Sequence, residues 1–395
     1  MAGSLGPTLL GYFALAQVYA MIFNDLFNVQ TWESLIKFGQ STGENYRLDR
    51  TIKTNVLIDI VGALVAFGVA GLAAHELGTS LGWDTSLVQL ALIYSLVIPF
   101  TLTTLTIGVP RLFDKFAVIA KLQFITALIK LCAVTAISLG DGGAVAYTSA
   151  YVGTEIFLSV SLITYSLFLL RRENAVDWRR SRIYLNREQV RFLWWTNLRT
   201  IVRIPVRQLD MLIINQVMAM STVGIYKAYK EIVSVINRLG DPVNQSIFPA
   251  YAGLIGSDQS SEAVAVTKRI MVLLAALGAV VLAVFLVISG PLIERFFGPE
   301  YLEHVSAFYI LLALTCFNLL LTPINSLFIA AGFAKYSFLV VLANNILYLT
   351  SALVGGIYFG IYGIVLAFAI QMTFNKGMKL YLLRRHSTGW GTVIR

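Results

Sequence analysis

The chain has 395 residues, of which 57% are hydrophobic and only 13% are charged. Soluble proteins carry about twice that share of charged residues, so the composition excludes a soluble globular protein and indicates a membrane protein with several spans. The formal net charge of +9 does not indicate a nucleic-acid partner, because most basic residues lie in short loops between apolar segments, as they do in membrane proteins.

Eleven apolar segments are predicted to cross the membrane as α-helices. Their runs of leucine, isoleucine, valine and alanine favour helices, and the sequence lacks the alternating pattern of membrane β-barrel strands. The predicted spans are residues 5–38, 54–75, 87–107, 114–138, 149–170, 192–218, 222–252, 269–290, 305–331, 337–358 and 361–383. The sequence therefore predicts an all-α polytopic membrane protein.

A basic connector divides these spans into two lobes. The N-terminal lobe of five spans occupies residues 1–170, and the C-terminal lobe of six spans occupies residues 192–385. The connector at 171–191 is expected to lie against anionic lipid at the membrane surface. Residues 386–395 form a predicted cytoplasmic tail.

The distribution of lysine and arginine predicts the orientation of the spans. The loops and tail that carry 22 of the 30 basic residues are 37–53, 111–121, 171–191, 268–269, 335 and the tail from Lys376. The alternate loops carry only Arg295. Because basic loops stay in the cytoplasm, we expect a cytoplasmic connector and C-terminus, an extracytoplasmic N-terminus and a multi-pass location in the cell (inner) membrane.

The two lobes also repeat one another weakly. Adding 213 places Gly11 on Gly224, adding 224 places Pro99 on Pro323, and each lobe ends in the sequence LLRR. Matches in the same order predict two pseudo-symmetric, like-oriented helical lobes around a central cavity, which is the plan of a transporter. Since the second lobe has one span more than the first, we expect that a first helix, preceding residue 5, is missing.

The sixth predicted span carries charges within its apolar sequence. On a continuous helix at 192–218, Arg199, Arg203, Arg207 and Asp210 fall within about 80° of one another and form one narrow stripe. An isolated charge in the middle of a membrane costs roughly 2.5–3.5 kcal/mol, so the stripe is expected to face a hydrated interior. The alternative is structural, with Arg207 paired to Asp210 and Arg199 reaching the cytoplasmic surface.

The seventh predicted span, at 222–252, carries a second stripe. Its members are Lys227, Glu231, Arg238, Asp241 and Gln245. Lys230 lies about 60° from Lys227 around the helix, where packing explains it equally well. Across both spans six cations stand against three carboxylates, and the surplus of three positive charges favours an anionic ligand.

Four phrases of the sequence resemble a family of transporters. They are FNVQTWESLIKFGQ at 27–40, LDMLIINQ at 209–216, VGIYKAY at 223–229 and IFPAYAGL at 247–254. By their order and spacing the chain resembles a polysaccharide (O-antigen-type) flippase of the multidrug/oligosaccharidyl-lipid/polysaccharide exporter superfamily. The resemblance implies a transmembrane transporter in polysaccharide biosynthesis and lipopolysaccharide or O-antigen export. Its implied partners are lipid-linked oligosaccharide, membrane lipid and polysaccharide polymerase or assembly proteins.

Such a flippase moves polyprenyl-diphosphate-linked repeat units from the cytoplasmic to the outer leaflet by alternating access. The cations would bind the diphosphate, because a guanidinium binds two phosphate oxygens at once, and amides would bind the sugars. The candidate substrate-binding residues are Arg199, Arg203, Arg207, Lys227, Lys230, Arg238, Asn237, Gln245 and Asn325. Tyr226 and Tyr229 are candidates for stacking on sugar rings.

Four carboxylates in the predicted spans have two interpretations. Asp25, Asp210, Glu231 and Asp241 either couple transport to H⁺ or Na⁺ or pair with neighbouring cations. The sequence shows no catalytic set and no metal-ligand spacing, so no enzyme activity, metal or cofactor is expected. Two other functions remain open, a cation-coupled multidrug exporter of the same superfamily and a membrane glycosyltransferase or polymerase.

Overall fold

The computed structural model describes residues 2–39, 48–140, 142–178, 181–257 and 259–386, which are helical and contain no β-strand. The α-helices are α1 (Ala2–Phe27), α2 (Thr31–Gly39), α3 (Leu48–Ser80), α4 (Thr85–Ser95), α5 (Val109–Leu112), α6 (Phe116–Leu139), α7 (Ala144–Arg172), α8 (Arg187–Ile201), α9 (Asp210–Val217), α10 (Met220–Gly256), α11 (Ser260–Phe296), α12 (Val305–Leu320), α13 (Thr322–Ala330) and α14 (Ala334–His386). The predicted all-α architecture is confirmed. Residues 387–395 of the predicted tail lie outside the described residues.

Among the described residues, seven helices are long and apolar enough to cross a membrane, or eight if one bent helix pair is a single span. Eleven spans were predicted, and two features explain the difference. The predicted spans at 337–358 and 361–383 form the two arms of α14, divided at Gly360, whose φ is 58°. The region 192–218 is divided into the short helices α8 and α9, of 15 and 8 residues, and the predicted span at 222–252 lies in helix α10, which carries charges within its apolar sequence.

One predicted span in each half of the chain is broken by a proline. In the first half, the helices at Thr85–Phe100 and Thr104–Leu112 meet at a bend of 59°, and Pro99 lies in the 3-10 turn before the break. In the second half, Pro323 lies in the first turn of α13, directly after the break from α12. A proline cannot donate a backbone hydrogen bond within a helix. Pro99 and Pro323 are a matched pair of the predicted repeat, which itself stays a prediction.

The first of two compact units comprises Tyr12–Ile204. Its apolar core consists of Leu35, Ile52, Val56, Leu105, Val109, Leu169 and Leu170. Helix α8 belongs to this unit, because the Gln189 amide donates to Asn55 Oδ1 (2.8 Å) and to Ser34 Oγ (3.2 Å). The second lobe was predicted to start at residue 192, whereas the compact units divide after Ile204.

The second compact unit comprises Ala2–Gly11 and the chain from Pro205 onward. One apolar cluster of its core consists of Ile247, Tyr251, Ala263, Val264, Leu327, Phe328 and Leu383. Helix α10 packs against α12 and α13, and α14 packs against α9 and α13. The charged sixth and seventh predicted spans therefore contact one another in this unit where α9 packs against α10.

Buried ionisable groups hold both broken spans. In the first unit Asp59 accepts hydrogen bonds from the Thr104 backbone N–H (2.7 Å) and the Thr31 hydroxyl. In the second unit Lys376 Nζ donates to the Leu321 carbonyl (3.1 Å), at the end of α12. An anion at a helix start and a cation at a helix end both complement the helix dipole.

The assignment of Lys376 and Lys379 to a basic tail is wrong. Both residues lie inside α14, and they are only 6% and 5% exposed. The physical reason is that apolar residues continue through Leu383, which packs in the second unit's core and keeps the chain helical and buried to that point. The count of basic residues in the predicted cytoplasmic tail therefore included two lysines that lie buried inside a helix.

Replacing Gly224 by alanine is expected to destabilise the second unit. A Cβ at Gly224 would lie 1.8 Å from the Pro7 carbonyl oxygen, so the backbone of residues 2–11 would have to move. Overpacking of this kind costs roughly 1–3 kcal/mol. We expect a lower melting temperature in detergent, measured by intrinsic fluorescence. Gly253, on the same helix, has no atom within 4 Å of an added Cβ, and its alanine variant is the control. Equal melting temperatures for both variants would contradict the close helix approach.

Candidate functional site

The continuous helix assumed for the first charged stripe is wrong. Helix α8 ends at Ile201, and Pro205–Leu209 forms a π-helical turn before α9 begins at Asp210. Pro205 cannot continue the backbone hydrogen bonds of a helix, and a π-helical turn advances by different angles from an α-helix. The four charges of the stripe therefore do not share one regular helix face.

The arginines of this stripe lie in different surroundings. Arg199 donates to Glu33 Oε1 at 2.5 Å, and half of its side chain is exposed. Arg203 is exposed in the turn that follows α8. The side chain of Arg207 lies outside the described residues. Arg199 thus forms a half-exposed ion pair within the first unit, and its predicted role in substrate binding stays a prediction.

Asp210 is the centre of a buried polar cluster in the second unit. Its side chain is only 2% exposed, and its Oδ2 accepts from Lys230 Nζ at 2.6 Å and from the Tyr226 hydroxyl at 3.1 Å. The hydroxyl of Tyr348 on α14 interacts with Tyr226. Among the described side chains, the ion-pair partner of Asp210 is therefore Lys230 on α10.

The predicted stacking residues are part of the core. Tyr226 and Tyr229 are 3% and 1% exposed, and the Tyr229 hydroxyl donates to the Tyr301 carbonyl at 2.5 Å. Their rings offer no exposed face to a sugar in this structure. Both tyrosines lie on the inward side of α10, which fixes the rotation of this helix and so the direction of its charged face.

The charged face of α10 turns away from this core. Lys227 Nζ pairs with Glu231 Oε1 at 2.6 Å, with the lysine 12% and the carboxylate 57% exposed. Asn237 and Arg238 are exposed. Because Met220–Gly256 is one continuous helix, Lys227, Glu231 and Arg238 lie along the same side of it. The side chains of Asp241 and Gln245, predicted on the same side, lie outside the described residues.

Asn325 contacts a lysine that the sequence did not suggest. Lys379 Nζ donates to Asn325 Oδ1 at 2.9 Å, so this amide helps to bind α14 to α13. Of the remaining predicted carboxylates, Asp25 is partly buried on α1 and forms further interactions there. The roles of Asn325 in sugar binding and of Asp25 in coupling stay predictions.

Sequence reasoning missed a polar cluster inside the first unit. Lys130 Nζ lies 2.6 Å from Glu155 Oε1 and 3.7 Å from the centre of the Tyr151 ring. Gln17 donates to the Tyr94 hydroxyl at 2.9 Å close by. In the sequence, Lys130 and Glu155 are one cation in one apolar segment and one carboxylate in the next. Together they carry no net charge, so counting charges did not draw attention to them.

Comparison of the sequence with known proteins gives two matches. A family model described as "Polysaccharide biosynthesis protein" matches residues 5–306. The inner membrane protein YghQ of Escherichia coli (strain K12) is 23% identical over 315 residues, and the match covers 75% of this chain and 85% of that protein.

Comparison of the fold gives similar transporters. An inward-facing multidrug resistance MATE family transporter of the MOP superfamily is similar with a TM-score of 0.74 at 14% identity, covering 98% of this chain and 94% of its own. The lipid II flippase MurJ in an inward closed conformation has a TM-score of 0.67 at 16% identity, covering 96% of this chain and 82% of its own. The chain shares its fold with these proteins.

Proposed function

The chain belongs to the polysaccharide biosynthesis protein family, and we propose that it is a membrane flippase for polyprenyl-diphosphate-linked oligosaccharide or polysaccharide repeat units. Its helices are long and apolar enough for a multi-pass membrane protein, and its fold is that of MATE transporters and of the lipid II flippase MurJ. The substrate moves from the cytoplasmic to the outer leaflet by alternating access. Polysaccharide polymerase or assembly proteins are the proposed partners on the outer side.

The observation that carries this proposal is the exposed arginine on α10. Lys227 and Lys230 each have a carboxylate partner, whereas no ion pair of Arg238 occurs among the residues that the structure describes. A charge of this kind in lipid would cost roughly 2.5–3.5 kcal/mol, so it needs water or an anion beside it. A diphosphate supplies that anion, and a guanidinium binds it through two oxygens.

The remaining predicted binding residues are assigned by their exposure, by their protein partners or, where the side chain is not described, by the sequence. Arg203 and Asn237 are exposed and are proposed to bind the diphosphate and the sugars with Arg238. Arg207 and Gln245 are proposed to join them on the strength of the sequence alone. Lys230, Arg199 and Asn325 are proposed to support the fold, because each has a protein partner within hydrogen-bond distance.

The carboxylates divide in a similar way. Asp210 and Glu231 are assigned to ion pairs with Lys230 and Lys227. Asp25 and Asp241 are the candidates for coupling to H⁺ or Na⁺. For orientation we propose a cytoplasmic connector and C-terminus, as the basic loops indicate even without Lys376 and Lys379.

Transport of a defined lipid tests the function. The purified chain is reconstituted into liposomes that contain a fluorescent polyprenyl-diphosphate oligosaccharide, and a membrane-impermeant glycosidase reports the fraction in the outer leaflet. We expect that fraction to rise with time in protein-containing liposomes and to stay constant in protein-free ones. Equal curves in both would contradict the flippase. Transport of ethidium driven by an ion gradient, without movement of the lipid, would favour the multidrug exporter.

A further inference from the structure

A pocket of about 230 Å³ lies inside the first unit, among α1, α4 and α7. Its polar lining consists of Gln17, Asn24, Tyr94, Thr101, Tyr151 and Glu155. None of these residues is on the charged face of α10. We propose that this pocket binds one sugar ring of the lipid-linked glycan and contributes to the choice of glycan, an inference that rests on the proposed flippase function.

The size of the pocket limits its ligand. Pockets for drug-sized molecules have volumes of about 300–1,000 Å³, so this pocket suits something smaller, such as a single hexose. Ala20, Met21 and Val97 line the same space with apolar groups. A hexose has an apolar C–H face beside its hydroxyl groups, and it therefore matches a wall that is partly apolar and partly polar.

The polar side chains are held in position before any ligand arrives. Gln17 Nε2 donates to the Tyr94 hydroxyl at 2.9 Å, and Thr101 Oγ1 donates to Asn24 Oδ1 at 2.6 Å. The bond from Thr101 occupies the carbonyl oxygen of the Asn24 side chain and leaves the Asn24 amino group as a hydrogen-bond donor. Such fixed donors and acceptors select ligands that carry several hydroxyl groups.

Glu155 gives the pocket a charged acceptor whose geometry is fixed. Its Oε1 accepts from Lys130 at 2.6 Å, and the Lys130 ammonium also lies over the Tyr151 ring at 3.7 Å. A carboxylate with two oxygens accepts from adjacent sugar hydroxyls, and bonds to a charged acceptor are stronger than neutral ones. Lys130 acts here as a positioning residue, because it orients Glu155.

The charges of Glu155 and Lys130 argue against binding of the diphosphate in this pocket, and its polar groups argue against binding of the polyprenyl chain. A diphosphate would meet the Glu155 carboxylate, and the nearby ammonium of Lys130 is already paired with that carboxylate. A polyprenyl chain offers no hydrogen-bonding group to the Asn24 amino group or to the Glu155 carboxylate, so it would bind there less well than a ligand with hydroxyl groups. The sugar is thus the part of the substrate that fits.

The test measures sugar binding apart from transport. Saturation-transfer NMR is recorded on the full chain in detergent over a concentration series of free glucose, galactose, N-acetylglucosamine or rhamnose. We expect a saturable signal for at least one sugar. The signal is expected to fall about fivefold or more in Glu155→Gln and in Tyr94→Phe, since each removes a hydrogen-bonding group without removing volume. Glu173→Gln, an exposed carboxylate of the same unit, is the control.

Each outcome decides the inference. Retained melting temperatures show that the variants fold. The two variants complement one another, because Glu155→Gln also weakens the pairing of Lys130, whereas Tyr94→Phe keeps the aromatic ring and changes no charge. No saturable signal for any of the four sugars, or equal signals in the three variants, would overturn the sugar site. Because this measurement involves no lipid, a wild-type chain that binds sugar but fails the liposome assay would count against the flippase function alone.

Discussion

Replacing Arg238 by glutamine is expected to lower the initial rate of lipid-linked oligosaccharide transport at least about tenfold. A hydrogen bond to a charged group contributes about 1.5–3 kcal/mol, and each 1.4 kcal/mol is a factor of ten. Arg238 is exposed on α10, and no ion pair of it occurs within the described part of the chain, so its removal breaks no described structural contact. The rate is measured in the liposome assay with equal amounts of reconstituted protein.

Two further variants separate a phosphate contact from a general effect of charge. Arg238→Lys keeps the charge but loses the two-oxygen geometry, and it is expected to lie between wild type and Arg238→Gln. Arg172→Gln removes an exposed arginine of α7 whose only described ion pair is at 4.0 Å to Glu173, and it is expected to transport normally. A normal rate in Arg238→Gln would remove the observation on which the proposed function depends.

The apolar spans could be predicted from the sequence because membrane insertion depends mainly on length and composition. Even the broken spans left a signal, since Pro99 and Pro323 stand at matching places in the two halves. The bend of 59° at the first break could not be predicted, because it depends on how Asp59 and its partners hold the two helix pieces.

Ion-pair partners were the least predictable part of the candidate site. The sequence offered Arg207, three residues away, as one possible partner of Asp210, but that spacing assumed a regular α-helix where the backbone forms a π-helical turn at Pro205–Leu209. The observed partner, Lys230, comes from α10 and is brought close only by the packing of α9 on α10. Spacing rules describe one helix and contain no information about the neighbouring one.

The first unit contains an ion pair that charge counting could not find. Lys130 and Glu155 neutralise one another across α6 and α7, so they add nothing to the surplus that drew attention to α10. Similarly, Lys376 and Lys379 were predicted to be loop residues because basic residues near a chain end usually are. The continuing apolar pattern through Leu383 was the available signal that they belong to a buried helix.

Replacing Lys230 by methionine is expected to destabilise the chain by roughly 3–5 kcal/mol, more than any other single change proposed for this cluster. The lysine side chain is 29% exposed, but Asp210 is only 2% exposed, so the variant leaves a carboxylate buried without its cation. The Tyr226 hydroxyl alone, at 3.1 Å, cannot neutralise that charge. The melting temperature of the purified protein in detergent measures the effect.

The burial of the two partners makes the expected result asymmetric. Asp210→Asn leaves the charge of Lys230, whose partly exposed ammonium can reach water, so this variant should lose less stability than Lys230→Met. The double variant removes both charges and should be more stable than Lys230→Met alone, because no buried charge is left unpaired. If the three variants melt at the same temperature, the pair contributes nothing. If Asp210→Asn is the least stable, the hydrogen bonds of the carboxylate to the Met211 backbone and the Tyr226 hydroxyl contribute more than its pair with Lys230, and the expected asymmetry is wrong.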